Sequence, residues 1–150
     1  DGVLRNWWSD ASREAFEART GMIVAQYSEF SPLEGLNVNG ALTLGENIGD
    51  IGGLSMAYRA YQLYLEDHPE ENVTLGGFTP DQRIFLGWGQ VWRYMFTDDA
   101  LRARLIGGPH SPPRYRVNGT LRNMDIWYEA FDVTEDNDLY LPPEERVSIW

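Results

Sequence analysis

Apolar residues recur at helical spacing along most of this chain, and no stretch alternates long enough to suggest paired strands. Ser9 or Asp10 can cap a first helix running to about Ser28, with Phe16, Ile23 and Tyr27 on one face and Gly21 weakening its middle. Phe30 to Gly40 reads as a loop, with Pro32, Gly35 and Asn39-Gly40 as turn signals. A second helix is predicted from about Thr43 to Glu66, its apolar stripe formed by Leu44, Ile51, Leu54, Tyr58, Tyr61 and Leu65. After a polar loop from Asp67 to Phe78, Thr79-Pro80-Asp81-Gln82 has the form of a capping box with proline in the first helical position. The helix that it opens carries Ile84, Phe85, Trp88, Val91, Trp92 and Met95 and is expected to reach about Phe96. Asp98 begins a short helix that Gly107-Gly108 stops. Pro109 to Gly119, with three prolines, reads as a rigid loop; Asn123 can cap a last helix through about Phe131, and an acidic, irregular tail follows. Residues 1–150 therefore read as one mainly α unit, without repeats or an internal linker.

Composition narrows the possible partners more than it changes this picture. At 43% hydrophobic and 13% aromatic over 150 residues, the chain can bury a real core. A net charge of −11 argues against nucleic acid and anionic membrane as partners. With no cysteine there is no disulfide, no thiolate nucleophile and no Cys-based zinc site. Lysine is also absent, so only an arginine could pair internally with a buried acid of this chain. No transmembrane run is visible, and membrane contact is not expected from this segment.

The second helix carries the most pointed chemistry. Glu46 and Asp50 lie four residues apart, on one face at about 100° per residue. Ser55, Arg59, Gln62 and Glu66 form the natural solvated stripe, and the two carboxylates project nearly opposite, beside Gly49, Gly53 and Ala57. An unpaired buried carboxylate is expensive, so such groups have a cation, a metal or strong donors beside them. Interior glycines cost roughly 0.5–1 kcal/mol each relative to alanine, which points to something approaching this backbone closely. A metal-ligating helix and a structural ion pair in a glycine-rich packing helix are both open on spacing alone.

The segment Gly45-Glu46-Asn47-Ile48-Gly49-Asp50 resembles the G-E-N-x-x-D motif of the neprilysin and endothelin-converting-enzyme family of zinc metallopeptidases, which includes bacterial endopeptidase O. Leu4-Arg5-Asn6-Trp7-Trp8 is similar to the stretch after that family's first zinc-binding helix. Gln90-Val91-Trp92 resembles its specificity-pocket segment, and His110-Ser111-Pro112 with Tyr115-Arg116 its transition-state loop. Val147-Ser148-Ile149-Trp150 resembles its chain end. The family's H-E-x-x-H is absent, and the two histidines, His68 and His110, have no partner at helical spacing.

The resemblance implies the C-terminal helical portion of a thermolysin-like zincin catalytic domain, lying after the H-E-x-x-H helix. It implies that Glu46 is the third ligand of one zinc ion and that Asp50 receives the N–H of a zinc-bound histidine. It assigns His110 to the oxyanion, Arg116 to the substrate backbone carbonyl, and Val91 and Trp92 to the pocket for the residue after the scissile bond. Arg114 is the neighbouring alternative to Arg116, and His68 is left as a surface residue. The expected function is part of an extracytoplasmic zinc endopeptidase that cleaves short peptides. Its partners would be a peptide substrate and the remainder of the same enzyme carrying H-E-x-x-H, and the chain alone would be inactive. A non-catalytic helical interaction module that keeps the family scaffold is the other class of function open here. An H-E-x-x-H upstream in the same gene separates the two.

Overall fold

Ser9 Oγ accepts the backbone N–H of Ser12 at 3.1 Å and opens the first helix, α1 (Asp10–Ser28), at the expected place. The computed structural model describes residues 2–149, so the Trp150 of the chain-end resemblance lies outside the described residues. Helix α2 (Gly40–Asp67) begins ahead of the expected Thr43, because Asn39 Oδ1 caps the N–H of Leu42 at 3.0 Å. Its first residue is glycine for a packing reason: a Cβ at Gly40 would strike the carbonyl oxygen of Val24 in α1.

Four shorter helices follow, α3 (Pro80–Val91), α4 (Asp98–Gly107), α5 (Pro113–Leu121) and α6 (Asp125–Phe131). Both halves of the Thr79–Gln82 capping box form, and Gln82 Nε2 also donates to the carbonyl of Ala130 at 2.8 Å. Three expectations need correction. Helix α3 stops at Val91 rather than Phe96, because Trp92 leaves the helix to lie beneath an arginine of α5. The proline-rich stretch expected to be all loop becomes α5 from Pro113, a residue suited to a first helical position because its missing N–H would go unused there. Asn123 does not cap α6; Met124 precedes that helix without a side-chain bond.

Helix α2 is the axis of the fold, packing against α1, α3 and α5, while α6 rests on α3. It serves two cores on successive turns. Ile51 joins Ile23 and Tyr27 of α1, Leu105 of α4 and Val147 of the tail. Leu54 joins Phe85 of α3, Leu121 of α5 and Trp127 of α6. Among the described residues there is no strand, and no helix is long and apolar enough to cross a membrane.

Asn123 is a buried tie between distant parts of the chain. Its Nδ2 donates to Gln26 Oε1 and to the carbonyl of Gly119, and its Oδ1 accepts the N–H of Val147, each at 2.8 Å. Gln26 Nε2 also donates to the carbonyl of Glu145 at 2.7 Å. Buried amides satisfied this fully fix one arrangement of α1, α5 and the tail.

Helices α1 and α5 approach closely at Gly119, where a Cβ would sit 2.5 Å from Tyr27 Cζ. Tyr27 is fully buried and cannot move aside. Glycine to alanine in a helix ordinarily stabilises by about 1 kcal/mol. Here Gly119→Ala is expected to destabilise by about 1–3 kcal/mol through overpacking, as read by urea denaturation.

Candidate active site

Glu46 and Asp50 leave α2 one turn apart, but their surroundings differ. The Asp50 side chain is 7% exposed and the Glu46 side chain 44% exposed. The cation expected beside a buried acid is Arg116 of α5, sixty-six residues further along the chain. Its Nε donates to Asp50 Oδ2 and its Nη2 to Oδ1, both at 2.6 Å, which is the bidentate fork a guanidinium offers a carboxylate. Nη2 also lies 3.4 Å from Glu46 Oε2. Burial pushes the Asp50 carboxyl up from its ordinary value, against the hydrogen bonds and charge of Arg116. Burial acts to lower Arg116, but the bond and charge of Asp50, with the charge of Glu46, outweigh it and raise the guanidinium.

Two further contacts and the start of its helix hold Arg116. Its guanidinium carbon lies 3.9 Å from the centre of the Trp92 ring, a cation–π stack that fixes the plane of the fork. Trp88 Nε1 donates to the Arg116 carbonyl at 3.3 Å. Pro113 starts the helix that aims the side chain. Among the described residues Nη1 has no partner, so two N–H donors remain for another group. Arg114 is exposed and pairs with no carboxylate among the described residues.

His110 stands in the loop before α5, with Nε2 3.3 Å from Glu46 Oε2 and its side chain 47% exposed. Two residues whose roles sequence reasoning left unassigned hold that loop. Ser111 Oγ donates to Asn47 Oδ1 at 2.8 Å, and Asn47 Nδ2 donates to Thr43 Oγ1 at 3.0 Å. Asn47 is fully buried, so this bond pins the His110 loop to α2 next to Glu46. Both residues stand inside the motifs that carry the resemblance, which was the available signal.

The structure thus brings Glu46, Asp50, His110 and Arg116 together with Trp92. Val91 does not join them in this chain: it ends α3 with 68% of its surface exposed. The expected close approach to the glycines of α2 is not met within the chain either. Space beside Gly45, Gly49 and Gly53 is open among the described residues, and Leu42, Met56 and Leu63 are exposed along the same helix. The glycine-lined side, expected to be covered, therefore faces outward here.

A second cluster with ligand-type side chains, His68, Glu70 and Glu71, lies just past the end of α2, roughly 33 Å of helix axis from Glu46. It is satisfied locally: His68 Nδ1 lies 3.2 Å from Glu70, and Tyr64 donates to Glu71 at 2.7 Å.

Comparison with known proteins agrees over the whole chain. The family described as peptidase family M13 matches residues 1–147. Endothelin-converting enzyme 1 of Cavia porcellus is 42% identical over 100% of this chain and 20% of its own length. Neprilysin-1 of Caenorhabditis elegans is 38% identical over 99% of the chain and 20% of its own length. The crystal structure of the Mycobacterium tuberculosis zinc metalloprotease Zmp1 with an inhibitor superposes with a TM-score of 0.91 at 47% identity, over 100% of this chain and 23% of that one. PepO from Lactobacillus rhamnosis HN001 gives a TM-score of 0.81 at 29% identity, over 99% of this chain and 22% of that one. The all-helical fold is thus that of the helical part of such peptidases, and the chain spans about a fifth of the length of the curated relatives it matches.

Proposed function

The chain belongs to peptidase family M13, and from that premise we propose that it forms the part of a zinc endopeptidase that supplies one metal ligand and the contacts to the reacting carbonyl. The observation that carries this reading is the meeting of Glu46, Asp50, His110 and Arg116 at one place, from segments more than sixty residues apart.

Glu46 suits one position of a His-His-Glu zinc set. Its carboxylate is half exposed, and Oε1 has no hydrogen-bond partner among the described residues. The chain brings no pair of imidazoles to that carboxylate, and we place the H-E-x-x-H that would do so on a segment outside these residues. The open, glycine-lined side of α2 is where we seat that segment. Zinc when bound polarises the scissile carbonyl and acidifies water.

The roles of the chain's own groups follow from their geometry. Asp50 holds Arg116 in plane, and a carboxylate oxygen with a lone pair left can also accept the N–H of an incoming histidine. Arg116 turns its two unpartnered Nη1 donors to the backbone carbonyl of a peptide. His110, half exposed on a pinned loop, donates to the oxygen on which charge develops. The Trp92 ring forms a wall beside Arg116, and by family resemblance we assign it, with the exposed Val91 that precedes it, to the pocket for the residue after the scissile bond. The substrates we assign are short peptides, and by family resemblance we place the enzyme outside the cytoplasm.

The test is zinc titration and a fluorogenic-peptide assay on this chain alone and mixed with the segment carrying H-E-x-x-H. Alone, the chain is expected to bind zinc weakly and to cleave nothing; the mixture should do both. Robust turnover by the chain alone overturns the proposal. An intact gene without H-E-x-x-H would favour a non-catalytic helical module instead.

A further inference from the structure

A cleft of about 230 Å³ opens beside the site, lined by His110 and Arg116 and, from the segment after α3 and from α4, by Tyr94, Phe96 and Arg104. Two of these residues touch Glu46, His110 at 3.3 Å and Arg116 at 3.4 Å. A peptide with its reacting carbonyl at Glu46 and His110 therefore has room for a neighbouring group in this cleft. We infer that Arg104 is a specificity-determining residue that receives a carboxylate of the peptide substrate there. This rests on the peptidase reading above and deepens it by naming a class of substrate.

Charge within the cleft supports the assignment. No carboxylate lines it, and the cation of Arg116 is already answered by Asp50 and Glu46. The Arg104 guanidinium makes no ion pair and no hydrogen bond among the described residues; its one side-chain partner there is a ring. The guanidinium carbon lies 4.2 Å from the centre of that ring, Phe96. Stacking of this kind holds the plane of the guanidinium while leaving its edge N–H groups free, the disposition that binds a carboxylate through two parallel bonds. The rest of the molecule works the other way. A chain of net charge −11 repels anionic peptides in general, so selecting one requires a local cation aimed at a definite place.

A carboxylate can come from the C-terminus of a short peptide or from an Asp or Glu side chain near the scissile bond. The experiment uses the full-length peptidase and its Arg104→Gln and Arg104→Lys variants. One arm compares a quenched fluorescent peptide as free acid and as C-terminal amide. The other compares Glu with Gln at positions flanking the scissile bond. The unmodified enzyme should favour the carboxylate member of one arm by about fivefold in kcat/KM, a modest factor because Arg104 is partly in water. Added salt should shrink that preference. In Arg104→Gln the ratio of acid to neutral substrate should collapse toward one, whatever the absolute rates, and Arg104→Lys should keep part of it. The arm that responds identifies the source of the carboxylate. An unchanged ratio in Arg104→Gln overturns the inference, as does an enzyme with no preference in either arm. If the unmodified enzyme cleaves no peptide, the peptidase reading has failed; the same ratio, read by equilibrium binding of the uncleaved peptides, then still decides the role of Arg104.

Discussion

Glu46→Gln in the intact peptidase is expected to lose zinc while keeping its fold, and to lose peptide hydrolysis with it. The Glu46 side chain is 44% exposed, and its contacts within the chain are single ones to His110 and Arg116. Glutamine keeps the shape and one acceptor oxygen, so secondary structure and unfolding midpoint should hardly move. The amide nevertheless lacks the negative charge through which a carboxylate oxygen binds a doubly charged zinc ion. Losing an outer hydrogen-bond partner of a metal ligand commonly costs about 10–100-fold in metal affinity. Loss of a direct ligand should exceed that upper figure. The measurements are metal content after dialysis against a zinc buffer, circular dichroism, and turnover of a fluorogenic peptide. A folded Glu46→Gln enzyme with full zinc occupancy would remove Glu46 from the ligand set.

Arg116→Met should show the largest loss of stability among the site variants. It leaves Asp50, 7% exposed, without the fork that compensates its burial. Removing one partner of a buried pair commonly costs about 3–5 kcal/mol, much of it the penalty of the abandoned charge. A second change distinguishes stability from function. Asp50→Asn added to Arg116→Met removes that abandoned charge and should recover much of the stability, but not the affinity for peptide or for a peptide-like inhibitor. Denaturant unfolding and inhibitor titration of the two variants provide the readings. Arg116→Met with unaltered inhibitor affinity would take the guanidinium out of substrate binding.

Where the chain carries a local stop or start, the sequence reading and the structure agree closely. Ser9 and Thr79 cap their helices with their own hydroxyls, and a capping bond spans only three residues. Errors arose where a distant partner decided the matter. Nothing between Val91 and Phe96 forbids a helix; Trp92 ends it by moving under Arg116. Asn123 looks like a cap but spends its amide on Gln26 and Val147 instead. Prolines can mark either a loop or a helix start, and Pro113 took the second option.

The candidate site shows the same division. The spacing of Glu46 and Asp50 marked an unusual helix face, and family motifs separated Arg116 from Arg114. Neither could show that Arg116 closes a fork on Asp50. Spacing is also silent on the contact between Ser111 and Asn47 that carries the His110 loop, because those residues lie sixty-four positions apart. Helical periodicity likewise could not show that the glycine-lined side of α2 remains open within this chain.

The buried tie at Asn123 sets a lower limit on how much of this segment must be made before α1 is braced against the tail. Gln26 is bonded to Asn123 and to the carbonyl of Glu145, partners 97 and 119 residues away. Local capping bonds can close as soon as each turn of helix leaves the ribosome. The Gln26 bonds cannot exist until nearly all of these residues have been synthesised, and loops that long close slowly. Until then α1 lacks its bonds to Asn123 and the tail, while its contact with α5 at Tyr27 and Gly119 needs neither. The fork of Arg116 on Asp50 needs no residue of the tail, so the candidate site and the tie that braces α1 against the tail draw on different lengths of finished chain.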